Sequence, residues 1–435
     1  MSVNIEQSQL KNGLKIIKIN LPNFHTITNF LVIRSGSRYE DKKVNGIAHF
    51  LEHMVFKGTK SFADTKVIAE ALEGVGGYFN AWTSQDHTAY WNIVPAAQWQ
   101  MGIQMASELA FYPKLPAADL ERERGVIIEE IRRMNDDPAS LVDDLLGPIL
   151  FPSSPLGYSV IGSEEIIKSV TIEDFKKYHA AHYLPSQAAF VCVGNLDGKD
   201  IDGEIEKLLG GFAAGEVSQP ESVTTPSKAA LKVLNKKTDQ THFILGMADP
   251  IMRLNEKKRF IAAVLNGVLG HGMSSRLFLN IREKKGLAYS ISSYFQPFED
   301  TGVIQVSGGV NTEKVHQTLE ALDEELLRLQ TELVSPEELK KAKNHINGSF
   351  DLSADRPVDM ATWYGTSWLL GMTETYEEAK VAVEKVTAEQ VREMAKLLFV
   401  KDRQVLAVIG PYDDTKKFED FLGVSAKNQA TTNKK

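Results

Sequence analysis

The feature that most limits how this chain can fold is that it is written twice. Val170-Thr171-Ile172-Glu173 returns as Val386-Thr387-Ala388-Glu389, and the strand that follows, with Gly194 and Asp197, returns with Gly410 and Asp413, each pair 216 residues apart. Nearer the start of each half, residues 47–53 align with 261–267 at an offset of 214, and Gly58 aligns with Gly272. A period of this length repeats a whole domain, and 435 residues are too many for one hydrophobic core. Two related halves are therefore expected. Residues 213–228 are rich in Ser, Thr, Pro and Gly, which marks an exposed connection. The expected division is 1–212, a linker at 213–230, and 231–435.

Within each half, Phe30-Leu31-Val32-Ile33 and residues 405–409 read as strands, whereas 171–183 and 388–399 have helical spacing, with Thr171 and Thr387 as N-caps. The fold class expected is α+β. Each half-repeat is read as an antiparallel-rich sheet with helices packed on it, the two facing each other across a cleft; such interfaces are where ligands most often bind.

Composition narrows the function classes. With 43% hydrophobic and 24% charged residues the chain reads as soluble and globular. The net charge of -8, with no basic cluster set against it, argues against nucleic acid as a partner. Residues 1–20 show no basic stretch followed by an apolar one, and no run approaches the roughly 20 apolar residues of a membrane span, so a cytoplasmic setting is expected. Cys192, the single cysteine, excludes an internal disulfide and reads as a small buried hydrophobe. The polar tail 425–435 is expected to be disordered.

One segment carries chemistry. In 46–57, Ile47, Phe50, Leu51, Met54 and Val55 share one side of a helical wheel, and His49, Glu52 and His53 share the other. Imidazoles at i and i+4 can bind one Zn²⁺, and a carboxylate between them reaches the activated water. This is the inverse of the commoner His-Glu-x-x-His spacing and is the inverted-zincin signature. A catalytic zinc needs a third protein ligand. Residues 120–134 offer Glu121, Glu123, Glu129 and Glu130, with Leu120, Ile127, Ile131 and Met134 as the buried stripe. Glu123 and Glu130, seven apart, lie along its border, while Glu121 and Glu129 read as a solvated face. Glu130 is thus the expected ligand and Glu123 its support. The second copy keeps the helix but has Ala263, Asn266 and Gly267 where the first has His49, Glu52 and His53. The fold does not require the trio, so metal and water explain it better than packing.

His49-Phe50-Leu51-Glu52-His53, followed after 76 residues by Glu130, resembles the pitrilysin, insulin-degrading enzyme and mitochondrial processing peptidase family, most of all its processing-peptidase branch with bacterial members. The resemblance spans nearly the whole chain, from Leu10 to the strand of Gly410. It implies a zinc metalloendopeptidase in which His49, His53 and Glu130 hold the metal, Glu52 is the general base and Glu123 assists. It also implies that the segment 76–83 is an edge strand on which a peptide adds as a further strand, with Asn80 and Ala81 holding its backbone. In the second half it implies substrate contacts from Arg282 and Tyr289, seven apart, on the peptide carbonyl or its oxyanion. Unfolded or short polypeptides are the expected substrates and a homodimer the expected assembly. The competing reading is a non-catalytic structural or partner subunit, which the intact first-half motif disfavours. His87 reads as structural, and His271 as either a surface or a substrate-facing residue.

Overall fold

The computed structural model describes residues 4–215 and 220–424, so the tail expected to be disordered lies outside the described residues, as do four positions of the 213–230 stretch. The described residues form two compact units. Of the described residues, the first takes 4–132, 158–215, 220–221 and 351–373; the second takes 133–157, 222–350 and 374–424.

In the first unit, β1 (Ile5–Gln9), β2 (Lys15–Asn20), β3 (Thr26–Ile33), β4 (Tyr78–Thr83), β5 (Thr88–Pro95) and β6 (Ala188–Gly194) form one sheet in the order β1-β2-β6-β3-β5-β4. In the second unit, β7 (Ala230–Asn235), β8 (Gln240–Ala248), β9 (Ala288–Pro297), β10 (Gly302–Asn311) and β11 (Val405–Gly410) form another in the order β7-β11-β8-β10-β9. Apart from β1, the two orders are the same. Each has one parallel pair, β2 with β6 and β7 with β11, and is otherwise antiparallel. The duplicated sequence thus gives a duplicated sheet. Its copied caps are also present: Thr171 and Thr387 each form a capping box, at the start of helices Ile172–His182 and Ala388–Leu398.

The central strands are largely apolar, as strands covered on both faces tend to be. All of β6 and β11 are buried, and β3 and β8 nearly so. On one face of the first sheet lie the helices Ile47–Val55, Trp99–Phe111 and Ile172–His182, whose residues Phe50, Ile103 and Phe175 join the main core. The other face is covered from far along the chain. Helix Pro357–Leu369 packs on β3 and β6, so closely that a Cβ on Gly365 would stand 2.9 Å from a Val191 methyl and 3.0 Å from the Phe30 ring. The second sheet is covered reciprocally by helix Pro138–Leu150, whose Val142, Leu146 and Leu150 pack with Ile244, Val405 and Ala407. Each of these two helices therefore lies in the unit opposite to the one that a single cut within 213–230 would assign it. The chain crosses between the units at five points, and that between Glu221 and Ser222 is one of them.

Candidate metal centre and active site

The Ile47–Val55 helix buries Ile47, Ala48, Phe50, Leu51, Met54 and Val55, with Phe50 meeting Phe175 edge to face at 5.0 Å. That burial turns His49, Glu52 and His53 outward together. Its N-terminus has no side-chain cap of its own, because Gly46 stands there in the left-handed region at φ 94°. Glu40 supplies the missing acceptor: its Oε2 accepts from Gly46 N–H at 2.8 Å and the Asn45 amide at 2.7 Å, and its Oε1 accepts from Ala48 N–H at 2.8 Å. Burial pushes the Glu40 carboxyl up to about 7 against these three bonds. Sequence reasoning missed Glu40, which acts on the helix from outside it and matches no capping pattern.

The second helix of the site, Ala117–Asp136, buries Leu120, Glu123, Arg124, Ile127 and Ile131, with Met134 only partly covered. Arg124 fastens it by donating to the carbonyls of Ile167 and Val170, the latter at 2.9 Å, and pairs with exposed Glu121. Glu129 points to solvent and pairs with Arg132 at 2.7 Å. Glu130 turns the other way, its Oε2 lying 3.9 Å from His49 Nε2 and 3.7 Å from His53 Nε2.

One ligand atom from each of His49, His53 and Glu130 lies within 4.8 Å of the others, and among the described residues this is the one cluster of three or more potential metal ligands. A tetrahedral zinc with bonds near 2.0–2.2 Å holds its ligands about 3.4 Å apart, so small side-chain adjustments close this set on a metal. Burial lowers both histidines, His49 to about 4, which keeps the rings neutral as metal ligands must be. The residues fit zinc.

Around this set, Glu123 Oε2 lies 3.8 Å from His53 Nδ1, and its other oxygen pairs with Lys57 at 2.8 Å. Lys57 was not foreseen. Glu52 accepts a hydrogen bond from Thr83 at 2.6 Å, and burial, with Glu130 nearby, pushes its carboxyl up to about 7. A carboxyl poised there can take and return a proton near neutral pH.

Asn80 and Ala81 lie on β4, the edge strand next to this helix. Asn80 is exposed, and its Oδ1 accepts from the Ala81 N–H at 2.9 Å. Arg282 and Tyr289 belong to the second unit. Arg282 sits in the wide π-helical stretch Leu277–Lys284 with its guanidinium 4.7 Å from the Phe278 ring, and Tyr289, the second residue of β9, is largely exposed. His87 is tied to Asp86 at 2.7 Å in the β4–β5 turn, and exposed His271 lies against His345. Cys192 is fully buried in β6.

Residues 15–164 match the profile described as Insulinase (Peptidase family M16), and residues 169–346 match the Peptidase M16 inactive domain. The chain belongs to peptidase family M16. It is 32% identical to the uncharacterized zinc protease YmxG of Bacillus subtilis, over 94% of this chain and 98% of that one. With the uncharacterized zinc protease SCO5738 of Streptomyces coelicolor it shares 30% identity over 94% of this chain and 90% of that one. In fold it is similar to a protease from Helicobacter pylori, with TM-score 0.89 and 22% identity over 94% of this chain and all of that one. A chain in complex III2 from Candida albicans has the same fold at TM-score 0.82 and 16% identity, covering 96% of this chain and 100% of that one. The profile described as inactive spans residues 261–267, where Ala263, Asn266 and Gly267 stand in place of the His-Glu-His trio. Among the described residues no helix is long and apolar enough to cross a membrane.

Proposed function

We propose that this M16 protein is a zinc-dependent endopeptidase that hydrolyses peptide bonds in unfolded or short polypeptides, with His49, His53 and Glu130 holding the metal and Glu52 as general base. The observation that carries the reading is the convergence of three ligand atoms within 4.8 Å, beside a carboxyl pushed up to about 7. When bound, zinc supplies Lewis acidity toward a water and the scissile carbonyl. Glu52 takes the proton of the attacking water and delivers it to the leaving amine. Thr83 holds one Glu52 oxygen, leaving the other to do this work. Glu123 and Glu130 stand at opposite nitrogens of the His53 ring and fix its direction.

For the substrate, the reading uses β4. An edge strand has unpaired backbone groups, and an extended peptide can pair with them without demanding particular side chains. The side-chain oxygen of Asn80 covers the Ala81 N–H, so a pairing peptide would exchange for that bond. Only chain free of its own structure can do so, which selects unfolded or short substrates. Arg282 and Tyr289 are assigned to the peptide carbonyl or its oxyanion, supported by the exposure of Tyr289. Assembly as a homodimer in the cytoplasm completes the proposal.

The test is zinc content measured beside cleavage of a quenched peptide, with and without chelator. About one zinc per chain and chelator-sensitive cleavage are expected. Cleavage at full rate in metal-free protein would reject the reading, and light scattering showing only monomer would reject the dimer.

A further inference from the structure

Thr83 stands outside the metal set, yet its hydroxyl is the one group that donates to the Glu52 side chain at hydrogen-bond distance among the described residues, at 2.6 Å. It is the last residue of β4 and pairs in register with Thr88, the first of β5. The Thr88 hydroxyl spends its proton on the Ser35 carbonyl at 2.8 Å, and the two threonine oxygens lie 3.5 Å apart. Thr83's single proton is therefore left for Glu52.

The hydroxyl is also held in place from behind. The turn after Thr83 closes with Ser84 N–H on the His87 carbonyl at 2.8 Å, and the backbone of Ser37 and Arg38 donates to the carbonyls of Ser84 and Gln85 at 3.3 and 2.8 Å. Next along the strand, the Trp82 ring packs 5.4 Å from Phe30 and its indole N–H meets His87. Strand alternation puts Phe79, Ala81 and Thr83 on one face. This is the face toward the Ile47–Val55 helix, where Phe79 lies 5.7 Å from Phe56.

The geometry points to Thr83 as a positioning residue for the general base, carried on the strand that receives the substrate. This rests on the proposed roles of Glu52 and β4. One rigid element then sets both the register of the peptide main chain and the direction of the carboxylate that serves it. Base and scissile bond are aligned through a single strand, with no loop between them.

The test compares Thr83→Val, Thr83→Ala and Thr83→Ser with wild type, reading kcat, KM, zinc content and thermal midpoint. Loss of a hydrogen bond to a charged group that sets a reacting carboxylate predicts a kcat lower by about 10- to 100-fold for both Val and Ala. KM is expected within about twofold and Ser within about threefold of wild type, because the substrate ladder and the hydroxyl respectively remain. Zinc per chain and the midpoint are expected unchanged in Val or, if the added methyl disturbs the strand, in Ala. A Val and Ala pair with wild-type kcat overturns the inference alone and leaves the peptidase reading standing. So does a Ser variant as slow as Val, or a loss confined to zinc content or KM. A wild-type protein that binds zinc and cleaves nothing overturns the peptidase reading, and the inference with it.

Discussion

The Glu123 carboxylate lies 3.8 Å from His53 Nδ1, while Glu130 faces the opposite nitrogen of the same ring at 3.7 Å. Lys57 pairs with the buried Glu123 at 2.8 Å. A carboxylate behind a ligating imidazole fixes the ring's tautomer and raises its basicity. Glu123→Gln should therefore weaken zinc binding by about 10- to 100-fold while the fold persists. Competition with a chelator of known affinity measures this, and unchanged affinity would remove Glu123 from the site.

Glu52→Gln keeps the size of the side chain and an acceptor for Thr83 but cannot take a proton. It should retain zinc and lose cleavage by at least about 10²- to 10⁴-fold. Metal analysis and a quenched-peptide assay on the same sample decide it.

Glu40→Ala would leave two backbone N–H groups and the Asn45 amide without their buried acceptor. The expected cost is about 2–4 kcal/mol in denaturant unfolding. Zinc affinity should fall with it, since the first turn of the helix that carries His49 loses its anchor.

Acid should destabilise the fold through His182, which burial holds down to about 4. The unfolded histidine titrates near 6.5, so between those values the unfolded chain takes up a proton that the folded one refuses. The stabilisation is complete above about pH 6.5 and is lost as pH falls toward 4. His182→Phe keeps a ring against Tyr178, 4.3 Å away. Wild type should lose roughly 1 kcal/mol more than this variant between about pH 6.5 and 5.5, read from urea midpoints with chelator present throughout.

Gly365→Val would drive a branched side chain into Phe30 and Val191. Overpacking of this kind costs about 1–3 kcal/mol. The thermal midpoint should drop, although position 365 lies more than 200 residues along the chain from most of the first unit.

What the sequence disclosed follows the range of each signal. Period 3.6 turned His49, Glu52 and His53 to one side and separated Glu130 from Glu129, because both facts are contained within a few helical turns. Thr171 and Thr387 were legible as caps for the same reason. Glu40 reaches Gly46 across a segment of no regular pattern, and Thr83 ends a strand whose alternation gives no hint of the partner. Lys57 follows the helix as an ordinary surface cation would. The π-helical widening at Leu277–Lys284 has no spacing signature at all, since its hydrogen bonds shift by one residue without changing the side-chain pattern enough to read. The exchange of helices Pro138–Leu150 and Pro357–Leu369 was invisible because an amphipathic helix announces that it will be covered, not by which sheet.

That exchange has a consequence for inheritance. Two copies of a gene segment usually remain separable, each able to be lost, swapped or expressed alone. Here Phe30 and Val191 wait for a helix encoded far downstream, and Ile244 and Ala407 wait for one encoded upstream. With the helices crossed in this way, neither copy can be removed without stripping the other's sheet. The second copy, which carries no His-Glu-His trio, is thereby indispensable to the one that does.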